Sequence, residues 1–413
     1  MKRNNLIFFI IILLLLQSNL FSKNDVTIIG PLMAADGICR ISIGLLDHLS
    51  KYLDINYIKS GPFDLSEVPK KVIDILEKKD QSHADIVLFL NSPWTIWGDR
   101  TVDLPDAKIK LAYSMIEGTG IPKEWVNAFN EKFDAVIVPD EFLIDIYSKC
   151  GVIIPIFVIP IGLYLESFLI KKPKKREEKE FVFGMSAGFV PGKNQEVLID
   201  AFFEEFKNNS QVTLKIHGRG GSFFCKIEEK VNLLNCKNIE LINNKFSNAE
   251  YLSFMSSLDC YVLTSKGEGF SITPREALAL GIPCILTNNT AQKTICDTGF
   301  ICTVDSLIEE PAFYEPFNSI CGSKFNCAVL DVKNALRTVY SDYEKYFYLA
   351  QKGKEWVTKY LYAEVISQYL TIIKPSKLVL GKQNKIEANS LITNSKVLYE
   401  KYNRLYFSQD IKE

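Results

Sequence analysis

The chemistry-bearing residues of this chain concentrate between Thr264 and Thr287, in the string Thr-Ser-Lys-Gly-Glu-Gly-Phe-Ser-Ile-Thr-Pro-Arg-Glu-Ala-Leu-Ala-Leu-Gly-Ile-Pro-Cys-Ile-Leu-Thr, which sets Glu268 and Glu276 eight residues apart. Thr273 is a preferred N-cap, Pro274 suits the first helical position, and Gly281 with Pro283 stops a helix, so the spacing predicts a short helix over 274–280. Its N-terminus follows Gly267-Glu268-Gly269, a glycine-permissive loop leading into exposed backbone donors and a positive dipole end. That combination suits a phosphate. Glu276 has two readings here: it stands three residues after the predicted cap and can close a capping box, or it can hold a ligand.

Such a loop needs a scaffold, and the flanking pattern supplies one. From Asp25 onward, strand-like runs (VTIIG, ADIVLFL, IKLAYSM, DAVIVP) alternate with segments of helical periodicity (ISIGLLDHLSKYL, PKEWVNAFNEKF, EFLIDIYSKCG). A second series follows, with strands FVFGMSAGF, VTLKIHG, IELI, YVLTS and PCILT separated by helices. Alternation of this kind implies parallel sheets covered on both faces, so the fold class is α/β, two doubly wound Rossmann-like domains in tandem. The expected division is an N-terminal domain over 23–165, a charged linker over 166–179, a second domain over 180–340 and C-terminal helices over 341–413, partly crossing back to the first domain. Ligands of open α/β sheets sit outside the carboxyl ends of the strands, which puts the expected site in the cleft between the domains.

With that frame, Glu268-Gly269-Phe270 followed by Glu276-Ala277-Leu278 and Gly281-Ile282-Pro283 resembles the E-x7-E signature of GT-B glycosyltransferases, nearest the retaining family 4 group, the glycosyl transferases group 1. The resemblance extends from about residue 25 to 370. Asp36-Gly37-Ile38 is similar to the glycine-rich loop after the first strand, Val158 to Gly162 to the connecting strand, Pro191-Gly192-Lys193-Asn194 to a P-x-K-N turn, and Lys215 to Gly218 to a strand ending in glycine. The resemblance implies transfer of a sugar from a nucleotide-sugar donor, with retention. It implies that Lys193 binds the donor diphosphate, Glu276 the ribose hydroxyls and Glu268 the hydroxyls of the transferred sugar, with Gly269, Phe270, Ser271, Ile272 and Thr273 lining sugar and phosphate. Gly37, Gly218 and Arg219 complete the expected donor side. A lysine is a point charge suited to a leaving diphosphate, and carboxylates accept paired hydroxyls without a metal, so no cofactor or metal is expected. No D-x-D motif is present.

The chain also departs from that family. Position 188, where relatives carry an arginine, is Gly188, so a diphosphate cation is missing or supplied elsewhere, with Arg219 and Arg275 as substitutes. No histidine follows the strand IKLAYSM; Glu117 there is expected as a catalytic residue on the acceptor side, beside Glu268 as the other, its alternative being a solvated loop carboxylate. His217 either approaches the diphosphate or makes a structural hydrogen bond at a strand end. Asn91, Trp94 and Trp97 either shape an acceptor pocket or pack. These departures keep open a non-catalytic GT-B subunit binding nucleotide-sugar or glycan, and the leader-like N-terminus keeps open an exported sugar-binding protein.

Composition bounds the remaining partners. The chain has 413 residues, 47% apolar and 23% charged, with Lys+Arg 48 against Asp+Glu 49, which gives no bulk reason to bind nucleic acid. Ten cysteines contain no C-x-x-C pair and there are three histidines, which argues against a zinc site. Cys260 and Cys284 lie in strand-like runs as small hydrophobes, while Cys296/Cys302 and Cys321/Cys327 have spacings open to disulfide loops in an exported chain. Residues 1–22 read as a signal-like or anchoring segment: Lys2-Arg3, then an apolar run from Leu6 to Leu16 spanning only ~16 Å as a helix, short of a ~30 Å hydrocarbon core. Membrane association at the cytoplasmic face reconciles it with a nucleotide-sugar donor, export being the alternative. The basic run Lys171 to Arg176 is either a lipid contact or a solvated stretch. The acceptor, a glycan, lipid-linked molecule or protein, has no recognisable code.

Overall fold

In the computed structural model, residues 24–34, 37, 39–78, 84–93, 102–173 and 180–373 are described. The leader-like segment 1–22, Trp94, Trp97, and the C-terminal segment after Ile373 therefore lie outside the described residues.

Two six-stranded parallel sheets form the frame. The first comprises β1 (Val26–Met33), β2 (Ile55–Asp64), β3 (Ile86–Phe89), β4 (Ile109–Tyr113), β5 (Ala135–Val138) and β6 (Ile156–Val158), in the order β2-β1-β3-β4-β5-β6. The second comprises β7 (Phe181–Ser186), β8 (Val212–Gly218), β9 (Ile239–Asn243), β10 (Cys260–Leu263), β11 (Cys284–Asn288) and β12 (Cys302–Asp305), in the order β12-β11-β10-β7-β8-β9. Every residue of β3, β5, β7 and β10 is buried, as expected of strands covered on both faces. β1 shows the division of labour: Val26, Ile28 and Leu32 join the larger core, while Ile29 joins a second core built on Phe89, Phe129, Val136 and Tyr147.

Strand order reverses between β1 and β3 in the first sheet and between β7 and β10 in the second, so the loops after these strands open onto crevices. The two crevices face each other. An antiparallel hairpin, β13 (Ile308–Tyr314) and β14 (Ser319–Asn326), leaves the second domain and reaches the first. There the Thr119 amide donates to the Ser323 carbonyl at 3.0 Å, the Ser323 amide donates to Thr119 Oγ1 at 2.8 Å, and Tyr314 meets Trp125 edge-on.

The C-terminal elements divide. Helix Tyr343–Trp356 packs on helix Ile272–Ala279 of the second domain, whereas helix Tyr362–Ile373 packs on helix Cys39–Leu49 of the first. Tyr362 fixes that crossing by stacking on His48 at 4.5 Å in the space left by Gly44 and Gly162. All ten cysteines are described and free, so neither candidate pair is bridged. Among the described residues, no helix is long and apolar enough to cross a membrane.

Candidate functional site

The cleft holds a cavity of about 700 Å³ lined from both domains. The second domain contributes Gly188 and Lys193 from the segment after β7, and Glu268 through Thr273 from the segment after β10. The first contributes Gly37, Asn91 and the run Tyr113 to Gly118.

Lys193 is the centre of the site. It ends a single 3-10 turn, Pro191–Lys193, followed by Asn194 in the left-handed region at φ 59°, and that turn is tied to the next loop by the Lys266 amide donating to the Gly192 carbonyl at 2.9 Å. Its ammonium donates to Glu268 Oε1 at 2.8 Å and to Glu117 Oε1 at 3.1 Å. Burial disfavours the lysine's charge, yet the two carboxylates outweigh it and raise its pKa well above the usual range. Burial likewise opposes ionisation of Glu117, but the Lys193 and Lys324 ammoniums hold its carboxyl below the usual range. Glu268 is nearly buried, accepts a further bond from Ser265 Oγ at 2.6 Å, and has its backbone fixed by an amide donation to Thr290 Oγ1 at 2.8 Å.

The glycines beside Glu268 serve packing across the cleft. A Cβ on Gly267 would lie 2.0 Å from the carbonyl oxygen of Glu117, and one on Gly269 would lie 2.9 Å from Met115 Sδ. The first domain thus sits directly on the loop. Ser271, buried at 4% exposure, lines the cavity with a hydroxyl that has no hydrogen-bond partner among the described residues.

Several expectations need correction. The helix runs Ile272–Ala279, two residues earlier than expected, and its N-cap is Ser271 in the left-handed region at φ 62°. Thr273 lies inside the helix, where its hydroxyl pairs with that of Tyr261 at 2.6 Å; Pro274 is tolerated inside the first turn, where an amide has no intrahelical acceptor. Glu276 neither closes a capping box nor lines the cavity. It is fully buried, its Oε1 accepting from Arg40 Nη2 at 2.9 Å and its Oε2 from the Tyr251 hydroxyl at 2.7 Å. Arg275 is not a substitute cation for a phosphate: it is buried at 0% exposure, stacks on the rings of Phe270 and Tyr360, and donates to the carbonyls of Phe270 and Ser271. It braces the loop from behind. Gly218 also stays off the cavity wall, packed so closely on the segment after β7 that a Cβ there would lie 2.1 Å from the Ala187 carbonyl oxygen.

His217 takes its structural reading. Its Nε2 lies 3.1 Å from the Asn244 carbonyl, which can only accept, so Nε2 carries the proton and Nδ1 accepts from Ser186 Oγ at 2.9 Å. Burial lowers its pKa and keeps it neutral. Arg219 does line the cavity, and so do Ala312, Tyr314, Phe317, Cys321 and Lys324 of the hairpin, none of which the sequence assigned to the site. The partnership of Arg40 with Glu276 was equally invisible, because 236 positions separate the two.

Comparison with known proteins agrees with this architecture. Residues 167–309 match the family Glycosyl transferases group 1. The chain is 24% identical over 192 residues to an alpha-monoglucosyldiacylglycerol synthase of Streptococcus pneumoniae, a match covering 43% of this chain and 43% of that protein. It is 35% identical over 111 residues to an uncharacterised glycosyltransferase, MJ1178, of Methanocaldococcus jannaschii, covering 27% of this chain and 30% of that one. These matches span less than half of either relative. The structure of HepE from Anabaena, solved in complex with UDP and glucose, superposes with a TM-score of 0.60 at 12% identity, covering 84% of this chain and 99% of that chain. The fold is that of the GT-B glycosyltransferases.

Proposed function

We propose that this GT-B chain, whose 167–309 segment belongs with the glycosyl transferases group 1, moves a sugar from a nucleotide-sugar in the cleft to an acceptor hydroxyl on the N-terminal side. The observation that carries the reading is the Lys193–Glu268 pair at 2.8 Å, set at the switch point of the second sheet and joined to Glu117 of the first domain at 3.1 Å on the wall of the cavity. The UDP and glucose held by the HepE neighbour support a nucleotide-sugar as donor.

In this reading Lys193 takes the diphosphate and Glu268 the hydroxyls of the transferred sugar. Breaking the bond between the anomeric carbon and the diphosphate oxygen leaves the electron pair on the diphosphate, while the acceptor oxygen forms the new bond and loses its proton. Fixed cations and amide donors already in place stabilise the negative charge that develops, and they do so without reorganising. The reaction we propose is therefore metal-independent, with retention as the sequence resemblance implies. Glu117, held ionised by two ammoniums, is a weak base and a good acceptor of hydrogen bonds, which suits positioning the acceptor. Glu276 is buried behind the cavity wall with Arg40 and Tyr251 on its two oxygens, so in this reading those side chains shift to let it meet a ribose. Membrane association at the cytoplasmic face belongs to the same proposal; the apolar run Leu6 to Leu16 supports it, as does the diacylglycerol in the name of the pneumococcal relative.

The test is a screen of the purified full-length chain against UDP-, GDP- and ADP-sugars for donor hydrolysis and for transfer to lipid and glycan acceptors. Turnover of one donor, lost in Glu268→Gln with the thermal midpoint kept, is the expected result. Equal turnover in Glu268→Gln would refute the site.

A further inference from the structure

The charges lining the cavity do not suit a donor until the hairpin is counted. Lys193 is matched by two carboxylates, Glu268 and Glu117, and Gly188 brings no charge. The remaining charged groups on the wall are Arg219 and Lys324. Lys324 belongs to β14, and its side chain spans the cleft: a Cβ on Gly118 would lie 3.9 Å from its Cγ, and a Cβ on Gly192 would lie 3.6 Å from its Nζ. The ammonium thus arrives beside the turn that carries Lys193. It is half-buried, donates no hydrogen bond among the described residues, and is felt electrostatically at Glu117.

The base of Lys324 is well anchored. The neighbouring Ser323 exchanges two hydrogen bonds with Thr119, at 3.0 and 2.8 Å, and Gly322, at φ 74°, packs its backbone on Thr119 and Gly120, where no side chain would fit. With Lys324 the wall carries three cations against two carboxylates; without it the two signs cancel. A sugar diphosphate brings two negative charges into a partly desolvated site, where an unneutralised charge is costly.

We infer that Lys324 is the second cation of the donor site, binding the diphosphate alongside Lys193, so that the β13–β14 hairpin is a working part of the nucleotide-sugar site and closes it against the first domain. The inference rests on the glycosyltransferase reading above. It also accounts for the neutral Gly188: the charge absent from the segment after β7 comes from β14 instead.

Isothermal titration of the full-length chain with UDP, GDP, ADP, their monophosphates and inorganic pyrophosphate tests it. Lys324→Met should weaken the best diphosphate by about 10–100-fold, the range for losing one charge-assisted hydrogen bond, while shifting the matching monophosphate by less than about threefold. Lys324→Arg should restore diphosphate affinity, and the salt dependence of binding should fall in the methionine variant only. Unchanged diphosphate affinity in Lys324→Met, or an equal loss for monophosphate and diphosphate, would overturn the inference while leaving the donor site standing. A wild-type chain that binds none of the diphosphates would overturn the donor-site reading and this inference with it.

Discussion

An alanine at position 267 would set its Cβ 2.0 Å from the carbonyl oxygen of Glu117 and 3.0 Å from that residue's carbonyl carbon. Both atoms are backbone and belong to the opposite domain, so no rotamer change relieves the overlap; the two loops must separate by about 1 Å to reach tolerable contact. Those loops carry Glu268 and Glu117, now joined through Lys193 at 2.8 and 3.1 Å, so the added distance moves the acceptor-side carboxylate about 1 Å away from the donor-side pair. A misplacement of about 1 Å at a reacting centre costs on the order of 100-fold in rate. Because the clash lies between two loops rather than inside a packed layer, a local shift of the loops relieves it. The expected cost in stability is thus near the low end of overpacking, about 1 kcal/mol, or roughly 2–4 °C in the midpoint of a domain this size. Steady-state transfer with the donor identified by screening, alongside a thermal melt, reads both quantities for Gly267→Ala. Turnover within about twofold of wild type would refute the idea that the closed contact of these loops is the working geometry.

Other perturbations separate bracing from chemistry. Arg275→Met removes a fully buried charge that holds the Phe270 and Ser271 carbonyls and lies 3.9 Å from Asp140, so it should lower stability by about 3–5 kcal/mol, read by denaturant unfolding. A loss under about 1 kcal/mol would contradict the bracing role. His217 and His48 both have pKa values lowered chiefly by burial, so the unfolded chain binds protons that the folded chain refuses. Stability should therefore fall as pH drops through the ordinary histidine value of 6.5, and His217→Gln should flatten part of that slope in melts between pH 7.5 and 5.5. Identical slopes in wild type and variant would remove His217 from the account.

Where one kind of local information sufficed, the sequence was a good guide. Strands such as AVIV of β5 and CYVL of β10 are continuous apolar runs bounded by turns, and burial on both faces leaves no other use for them. Lys193 and Glu268, each in a short motif beside its strand, were named from the sequence, and the fold brings them together at 2.8 Å on the cavity wall. The hairpin was not legible: β13 carries Glu309, Glu310 and Pro311, exposes four of its seven residues and pairs with no strand but β14, so no hydrophobic period marks it. The start of helix Ile272–Ala279 was misjudged because the chain turns at Ser271, in the left-handed region, while the Thr273 hydroxyl pairs instead with Tyr261 on β10. Arg275 looked like a free cation because the rings that enclose it, Phe270 and Tyr360, come together only through the C-terminal segment. Glu276 fits both its motif and its burial, but the arginine that covers it comes from the other domain.

The most direct measurement is a crystal structure of the chain grown with the nucleotide-sugar it turns over, or with the matching diphosphate and sugar. The diphosphate should lie within hydrogen-bond distance of Lys193 Nζ, with the sugar hydroxyls on Glu268 and the Lys193–Glu117 contact released. A donor bound elsewhere, with Lys193 still joined to both carboxylates, would contradict the assignment of this cleft as the site of transfer.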